Sequence, residues 1–582
     1  MKNFKPTLVF LSMACVLNLS NAQEKLQGDT SLKNEIPIST NDSLSQTDSD
    51  LLLTSMNAGS TYTYNNEWDM EPNFGSLTSN DVLNIEKGHV MIGVPLTCQV
   101  INVSPGASLS IDHVVTVTSD IVLSSTDTEF ASLITDGIIT GTVKYHRFTA
   151  KANPNELVSS PLPGESFGDF MSESGTNKDS IATHPYTPTI KAYAIYDMNQ
   201  RLYRNYNLAT DSTEFLLAGK GYRAATVSGN ALTYTSTNPT QGDVSIAITN
   251  AGDAWNLVGN PYASFLNLGD FLNLDNNSDV FTTEQKSVYF YTGNSHDKWD
   301  VWNRAKLDHT PTKLVAPGEA FFVKASSDAN LEFTKVMRSH NSGSSARSEN
   351  SPHYGHLKLK ISSGTASFST DLYFNSNASD GIDPGYDAAL YSQTPPAVSI
   401  YSHLVEDSSD LALAIQSLHN TAMNNAVIPL GVHAYQGEEI TISIEENDMS
   451  DDIKIYLEDR LNNTFTLLNS ENFVYVPDTN LSGAGRFYLN FENVSLSVKD
   501  TNFEKLSIVS NNAENTIVIN GLVQVGTNAK LYDVNGRVVL SQPLSVNSSS
   551  QEINVSQLTA GVYIMELNSN TNERRIEKLI IN

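Results

Sequence analysis

Cysteine is almost missing from this chain, with Cys15 and Cys98 its two thiols. Cys15 lies in an N-terminal stretch that reads as a removable leader, so the exported remainder cannot close an internal disulfide even in an oxidising space. Its domains must be held by their cores. Cys98, in the apolar run VPLTCQVINV, reads as a buried and inert thiol. Basic charge is scarce as well: 35 Lys and Arg oppose 64 Asp and Glu, a formal net charge of −29. Such a polyanion is repelled by nucleic acid and by anionic membranes. Familiar catalytic spacings are missing too. There is no HExxH, no GxSxG, no P-loop and no GxGxxG opening a helix, so no catalytic residue is assigned. His353 and His356 in HYGH stand three apart, with no third ligand placed beside them by the sequence. A carboxylate pair assembled by folding leaves no local trace, and that route to glycan cleavage stays open. No apolar run is long enough for a membrane-spanning helix.

What is present is a long series of short apolar segments. At 582 residues the chain exceeds one core and should hold about three to five domains. Abundant Ser, Thr and Asn, with apolar runs broken by Gly, Asn and Asp, predict an all-β protein. The opening MKNFKPTLVFLSMACVLNLSNAQ carries Lys2 and Lys5, an apolar stretch from Leu8 to Leu19, and then Ser20 and Ala22. That order is a signal peptide over 1–22, cut between Ala22 and Gln23, and its apolar stretch is too short to span. A lipid anchor on Cys15 is the weaker reading, because Ser12-Met13-Ala14 makes a poor lipobox. Residues 23–60 are rich in Ser, Thr and Asp and read as a disordered spacer. Over 61–150, strands such as VLNIEKG, VINVSPGASLSI and LITDGIITGTVKY recur between Gly-led turns. Their spacing predicts a short β-solenoid with stacked rungs; an ordinary sandwich is the alternative.

An internal repeat follows. NELVSSPLPGESFGDF at 155–170 matches WNLVGNPYASFLNLGDF at 255–271. AIYDMNQRLYRNYN at 194–207 matches FYTGNSHDKWDVWN at 290–303, and LAGKGYRAATVSGNALTYT at 217–235 matches VAPGEAFFVKASSDANLEFT at 315–334. Three blocks in one order predict two tandem β-domains, 151–247 and 248–336. The repeat also screens candidate sites. Glu319, a candidate acid beside aromatics, corresponds to Lys220. Trp299 and Trp302 correspond to Tyr203 and Tyr206, so an aromatic is wanted in both copies, which favours packing. With Trp255 they are also the candidate stacking surfaces for a sugar ring. Asp169 and Asp270, each preceding Phe in GDF, read as helix N-caps.

A polar linker at 337–353 leads into alternating segments such as HLKLKI, DLYFN, EITISI and IKIYLEDR, which predict an antiparallel β-sandwich over 354–495. Within it SDGIDPGYDAAL gathers Asp380, Asp383 and Asp387. Carboxylates around Gly and Pro can hold calcium in a loop, although this spacing fits no EF-hand and Asp also forms turns. Calcium is the one cofactor considered.

From Phe503 onward, LSIVSNNAENTIVING, AKLYDVNGRVVLS, AGVYIMELNSN and RRIEKLIIN read as strands between turns. Asn535-Gly536 predicts a two-residue type I′ hairpin, with positive φ at both positions. Over 504–582, the set Asp533, Asn535, Gly536, Arg537, Leu558, Gly561, Tyr563, Lys578 and Leu579 resembles the type A C-terminal sorting domain of the Bacteroidetes type IX secretion system. Asn511-Asn512 stands where that family usually has Asn-Pro. The resemblance implies an Ig-like β-sandwich read by the outer-membrane translocon. It also implies passage through the periplasm, then release or attachment to a surface glycolipid. WNLVGNPY, APGEAFFVKA and PGYDAALYS look like segments of large flavobacterial cell-surface proteins. Three function classes remain. A non-catalytic adhesin or binder of extracellular polysaccharide leads; a secreted glycan-active enzyme and a structural stalk or matrix component are the alternatives.

Overall fold

The computed structural model describes residues 59–582, except 152–154, 173–176, 294–298, 341–352, 393, 406–410, 494–505, 513, 524–525, 546–547, 570–573 and 582. The predicted signal peptide with its cut between Ala22 and Gln23, and the predicted spacer up to 58, lie outside the described residues. The chain is mostly strands, as composition predicts. Strands Thr61–Asn65, Val82–Lys87, Val100–Val103, Val115–Ser124 and Ile139–Thr149 lie parallel, side by side. Leu83, Ile101, Ile121 and Val143 pair in succession and all four are fully buried. This is the stacked core of a solenoid. The rung spacing lengthens by two residues each time, 83 to 101 to 121 to 143, so no fixed period shows in the sequence. A second parallel ladder joins His89–Ile92, Ser108–Ile111 and Ser132–Thr135. Strand Asn230–Ser236 then pairs antiparallel with Ile139–Thr149 and closes the first sheet. The predicted boundary at 150 therefore runs through continuous hydrogen bonding.

The two repeats share one topology. In the first, Glu156–Ser159, Gly221–Ala224, Thr187–Asp197 and Leu202–Asn207 lie in that spatial order; in the second, Trp255–Gly259, Ala320–Lys324, Val288–Tyr291 and Trp299–Trp302 do. Each repeat also has a leading strand paired with its final one: Ile139–Thr149 with Asn230–Ser236, and Val244–Ile248 with Ala329–Phe333. The structural unit thus begins before the matched blocks. Both copies bury an asparagine that sequence reading passed over. Asn177 accepts from Thr233 N–H and donates to the Thr233 and Phe170 carbonyls; Asn277 accepts from Glu332 N–H and donates to the Glu332 and Phe271 carbonyls. The GDF aspartates are not the N-caps. Asn267 caps helix Leu268–Asn273 by accepting from Gly269 N and Asp270 N, and Ser166 accepts from Asp169 N. The aspartates sit three residues further on, in the first turn, where a carboxylate suits the positive helix end.

The repeats face each other with reciprocal bonds. Ser159 N donates to Gly318 O at 2.9 Å, and Gly259 N, its counterpart, donates to Gly219 O at 3.0 Å. Val158 bridges Glu319 just as Val258 bridges Lys220. A Cβ on Gly221 would come within 2.6 Å of Leu257 Cγ, so glycine is what permits this approach. The pair docks on the solenoid through Arg338–His340. Arg338 donates to Thr135 O and Asp136, and His340 lies between the hydroxyls of Ser110 and Ser132, each 2.9 Å away. The predicted linker at 337–353 is thus ordered at both edges: Arg338–Ser339 pairs with Phe265–Leu266, and His353 opens strand His353–Ser363.

The next region forms one 11-stranded hydrogen-bonded sheet, a path of ten strands with Ala388–Ala389 branching from Leu413–Leu418. In its main core Phe374 meets Phe491 edge-on at 5.1 Å. The C-terminal region is a sandwich of a three-stranded and a four-stranded sheet around Ile517, Leu531, Met565 and Leu579. Its first hairpin differs from expectation. Gly536 takes positive φ, 77°, whereas Asn535 does not. Gly536 N donates to Asp533 O and Asp533 N to Arg537 O, which makes a type I turn followed by a left-handed glycine. Asn-Gly supports both turns, and the one-residue-longer loop decides between them.

Candidate functional site

Strand alternation sets which aromatics meet. In Trp299–Trp302 the two tryptophans point to opposite faces, because an odd spacing reverses direction. Trp302 enters the core of the second repeat with Phe271 and Phe321, is 8% exposed, and donates through Nε1 to Asp300 at 2.7 Å. Trp299 turns the other way and joins Trp255, which opens the strand paired with Ala320–Lys324. Trp255 is 4% exposed. Two of the three proposed stacking residues are therefore buried, and Trp302 belongs to a different surface from the others.

Between Trp255 and Trp299 sits Tyr391, from the following region. Its ring stacks on Trp255 at 4.3 Å and on Trp299 at 4.0 Å. A protein aromatic thus holds the position a sugar would have taken. Around this stack a cleft of about 820 Å³ opens between the repeats. The first repeat supplies Tyr196 and Tyr203, paired across their strands with rings 5.4 Å apart, and Arg223, whose guanidinium lies 4.0 Å over Tyr203. Arg201 and Lys324 also line the cleft. Lys324 stands opposite Trp255, its ammonium 5.6 Å over the indole. Asp253 is the one carboxylate among the described lining residues. It accepts from the Tyr196 hydroxyl and from Trp255 N–H.

The cleft is cationic in a chain of net charge −29. Among the described residues, Arg201, Arg223 and Lys324 form no salt bridge. Burial lowers the Arg223 pKa, yet guanidinium keeps its charge in proteins. Burial raises the phenols of Tyr203 and Tyr391, so both stay neutral donors. Gly252 brings the two repeats together at the rim: a Cβ there would lie 2.2 Å from Met198 O. Arrayed cations beside aromatic faces suit an anionic, ring-containing ligand.

The other candidates serve the fold. Glu319 accepts from Ala316 N–H at 2.8 Å, with its carboxyl pushed up by burial, and its backbone oxygen accepts from Asn260 at the repeat interface. Asp380, Asp383 and Asp387 do not converge on a common point. Asp383 accepts from Ser379 N and Oγ, and buried Asp387 accepts from Asp383 N and Ser417 N. These bonds staple a turn. Burial pushes the Cys98 thiol up to about 12, in line with an inert core residue. In the C-terminal sandwich, Asp533 staples its hairpin by accepting from Asn535 N and Arg537 N, while Tyr563 and Leu579 are buried and Lys578 is exposed. Gly561 opens the strand Gly561–Asn568, and Leu558 is half-buried. Sequence reading missed Arg201, Arg223, Lys324 and Tyr391 as site residues. Each lacks a local signal, since the four come from four separate segments of the chain.

Comparison with known proteins matches residues 65–491 to a family described as a domain of unknown function (DUF8693), and residues 507–582 to the secretion system C-terminal sorting domain. Among solved structures, the chain is similar to a biofilm associated protein, BSP domain, at 11% identity and a TM-score of 0.14, over 75% of this chain and 97% of that one. At that score the likeness carries no argument. No curated protein matches the chain. The sorting tail implies export by the type IX system to the cell surface or beyond.

Proposed function

Because the chain belongs to the DUF8693 family and ends on a type IX sorting domain, we propose that it is a non-catalytic surface protein that binds an anionic extracellular polysaccharide in the cleft between its repeats. One observation carries this reading: three basic side chains that form no salt bridge among the described residues are gathered beside Tyr203 and Trp299 in a strongly acidic chain. A neutral glycan needs aromatic faces alone, whereas uronate or sulfate groups need the guanidinium forks. With Tyr391 filling the space between Trp255 and Trp299, the polymer meets Arg223 on Tyr203, Arg201, Lys324 and the outer edge of Trp299. Asp253 has no second carboxylate facing it among the described lining residues, so the paired-acid route to glycan cleavage lacks its partner here.

The test is affinity electrophoresis and calorimetry of the purified chain against alginate, pectate and a sulfated galactan, with neutral xylan and laminarin beside them. Acidic polymers should bind preferentially, and added salt should weaken them. Arg223→Ala should cost about tenfold in affinity, the scale of one partly desolvated cation contact. Equal binding of neutral and acidic polymers, or Arg223→Ala binding like the parent, refutes the proposal. Sugar release during the assay would move the protein to the enzyme class.

A further inference from the structure

A second cluster lies away from the cleft, where the second repeat meets the 11-stranded region. His309 ends helix Arg304–His309, His353 opens strand His353–Ser363, and Asp448 follows strand Ile440–Asn447. Three atoms from these residues converge. His309 Nδ1 and His353 Nε2 are 3.2 Å apart, His353 Nε2 and Asp448 Oδ2 are 3.0 Å apart, and His309 Nδ1 and Asp448 Oδ2 are 3.3 Å apart. We propose that this triangle is one face of a tetrahedral site for a zinc-class divalent metal ion.

The edges decide between a hydrogen-bonded triad and a metal site. A triangle of two imidazole nitrogens and a carboxylate oxygen has three edges and at most two usable hydrogens. If both nitrogens carry hydrogen and aim at Asp448, two N–H groups crowd each other along the 3.2 Å edge. If one hydrogen lies between the rings, the lone pair of one nitrogen faces the carboxylate. A cation above the plane satisfies all three lone pairs together. Zinc bonds of about 2.0–2.2 Å in tetrahedral geometry place neighbouring ligand atoms about 3.3–3.6 Å apart, so the observed edges need open by only a few tenths of an ångström to seat the ion. Calcium and magnesium prefer all-oxygen sets, so the two imidazoles select a transition metal.

The surroundings are those of a prepared site. The other oxygen of Asp448, Oδ1, accepts from His356 N–H, and Asp448 N donates to His356 O at 3.1 Å. The backbone thus orients the carboxylate as an outer partner orients a metal ligand. His353 is fully buried, whereas His309 and Asp448 keep side-chain exposures of 24% and 33%, which leaves the fourth position open to water. His356 is engaged elsewhere, with Nε2 2.7 Å from Asp371 Oδ1. The ligands lie 44 and 95 residues apart in sequence, so a bound metal would pin the helix of the repeat to two strands of the next region.

The experiment uses the purified full chain, stripped with chelator and re-equilibrated with Zn²⁺ or Co²⁺. Metal analysis should return one tightly held zinc per chain. The cobalt form should show the intense visible absorption of a tetrahedral site, a readout on the parent that needs no variant. His309→Ala, at a partly exposed helix end, should weaken zinc binding by more than the roughly 10–100-fold that loss of an outer partner costs. His184→Ala, an exposed histidine elsewhere, should bind like the parent. No stoichiometric zinc, a purely octahedral cobalt spectrum, or His309→Ala binding as the parent does would each overturn the assignment.

Discussion

Replacing Asn277 by alanine isolates the device that each repeat uses to finish its sheet. Strand Ala329–Phe333 has one neighbour, Val244–Ile248, so its other edge would be left bare in the core. Asn277 supplies a side-chain amide there. It accepts from Glu332 N at 2.8 Å and donates to Glu332 O at 2.8 Å and to Phe271 O at 3.1 Å, much as a further strand would. Removing three such bonds costs about 3 kcal/mol at roughly 1 kcal/mol each, and a buried N–H left unpaired raises this towards about 5 kcal/mol. Water entering the vacated space favours the lower figure. Asn277→Asp should be worse than alanine: it keeps the acceptor but turns lone pairs against two carbonyls and buries a charge. Urea unfolding followed by tryptophan fluorescence suits the question, because Trp255, Trp299 and Trp302 lie in this repeat and Trp68 is the fourth. A loss below about 1 kcal/mol for alanine, or an aspartate variant as stable as the parent, would refute the edge-pairing argument.

Two further outcomes are expected. Burial first, and the charges of His89 and Arg338 second, lower the His340 pKa to about 4. The unfolded chain, with an ordinary histidine near 6.5, then binds more protons in between, so stability should fall as pH drops from about 6.5 to 4, by at most about 2 kcal/mol at pH 5. His340→Gln should flatten the urea midpoint over that range, and an unchanged slope would count against the contact. Deleting residues 504–582 should leave the protein inside the outer membrane, and fusing them to a carrier should send the carrier out. Fractionation with immunoblotting reads both, and a truncated chain at the surface in normal amount would contradict the sorting role.

How much of this was legible in the sequence depended on where the determining partners lie. The solenoid showed because its rungs repeat locally, and its growing spacing hid only the period. The repeats showed because three blocks keep one order, yet Asn177 and Asn277 fell outside those blocks. Trp302 was misplaced because an aromatic at a matched position does not reveal its face; strand register does. The cleft and the histidine cluster were invisible for the same reason. Arg223 means little until Tyr203 and Trp299 arrive, and His353 seemed to lack a third ligand until Asp448, 95 residues on, and His309 came beside it.

The reciprocal bonds between the repeats, Ser159 to Gly318 and Gly259 to Gly219, are those of an isologous dimer. Two identical subunits meeting this way must line a cleft on their axis with two identical halves. Joining the halves in one chain lifts that obligation. Arg223 on one side corresponds to Phe322 on the other, and Asn155 to Trp255. Duplication within a single gene thus lets one half specialise in charge and the other in aromatic surface, which a symmetric homodimer could not do.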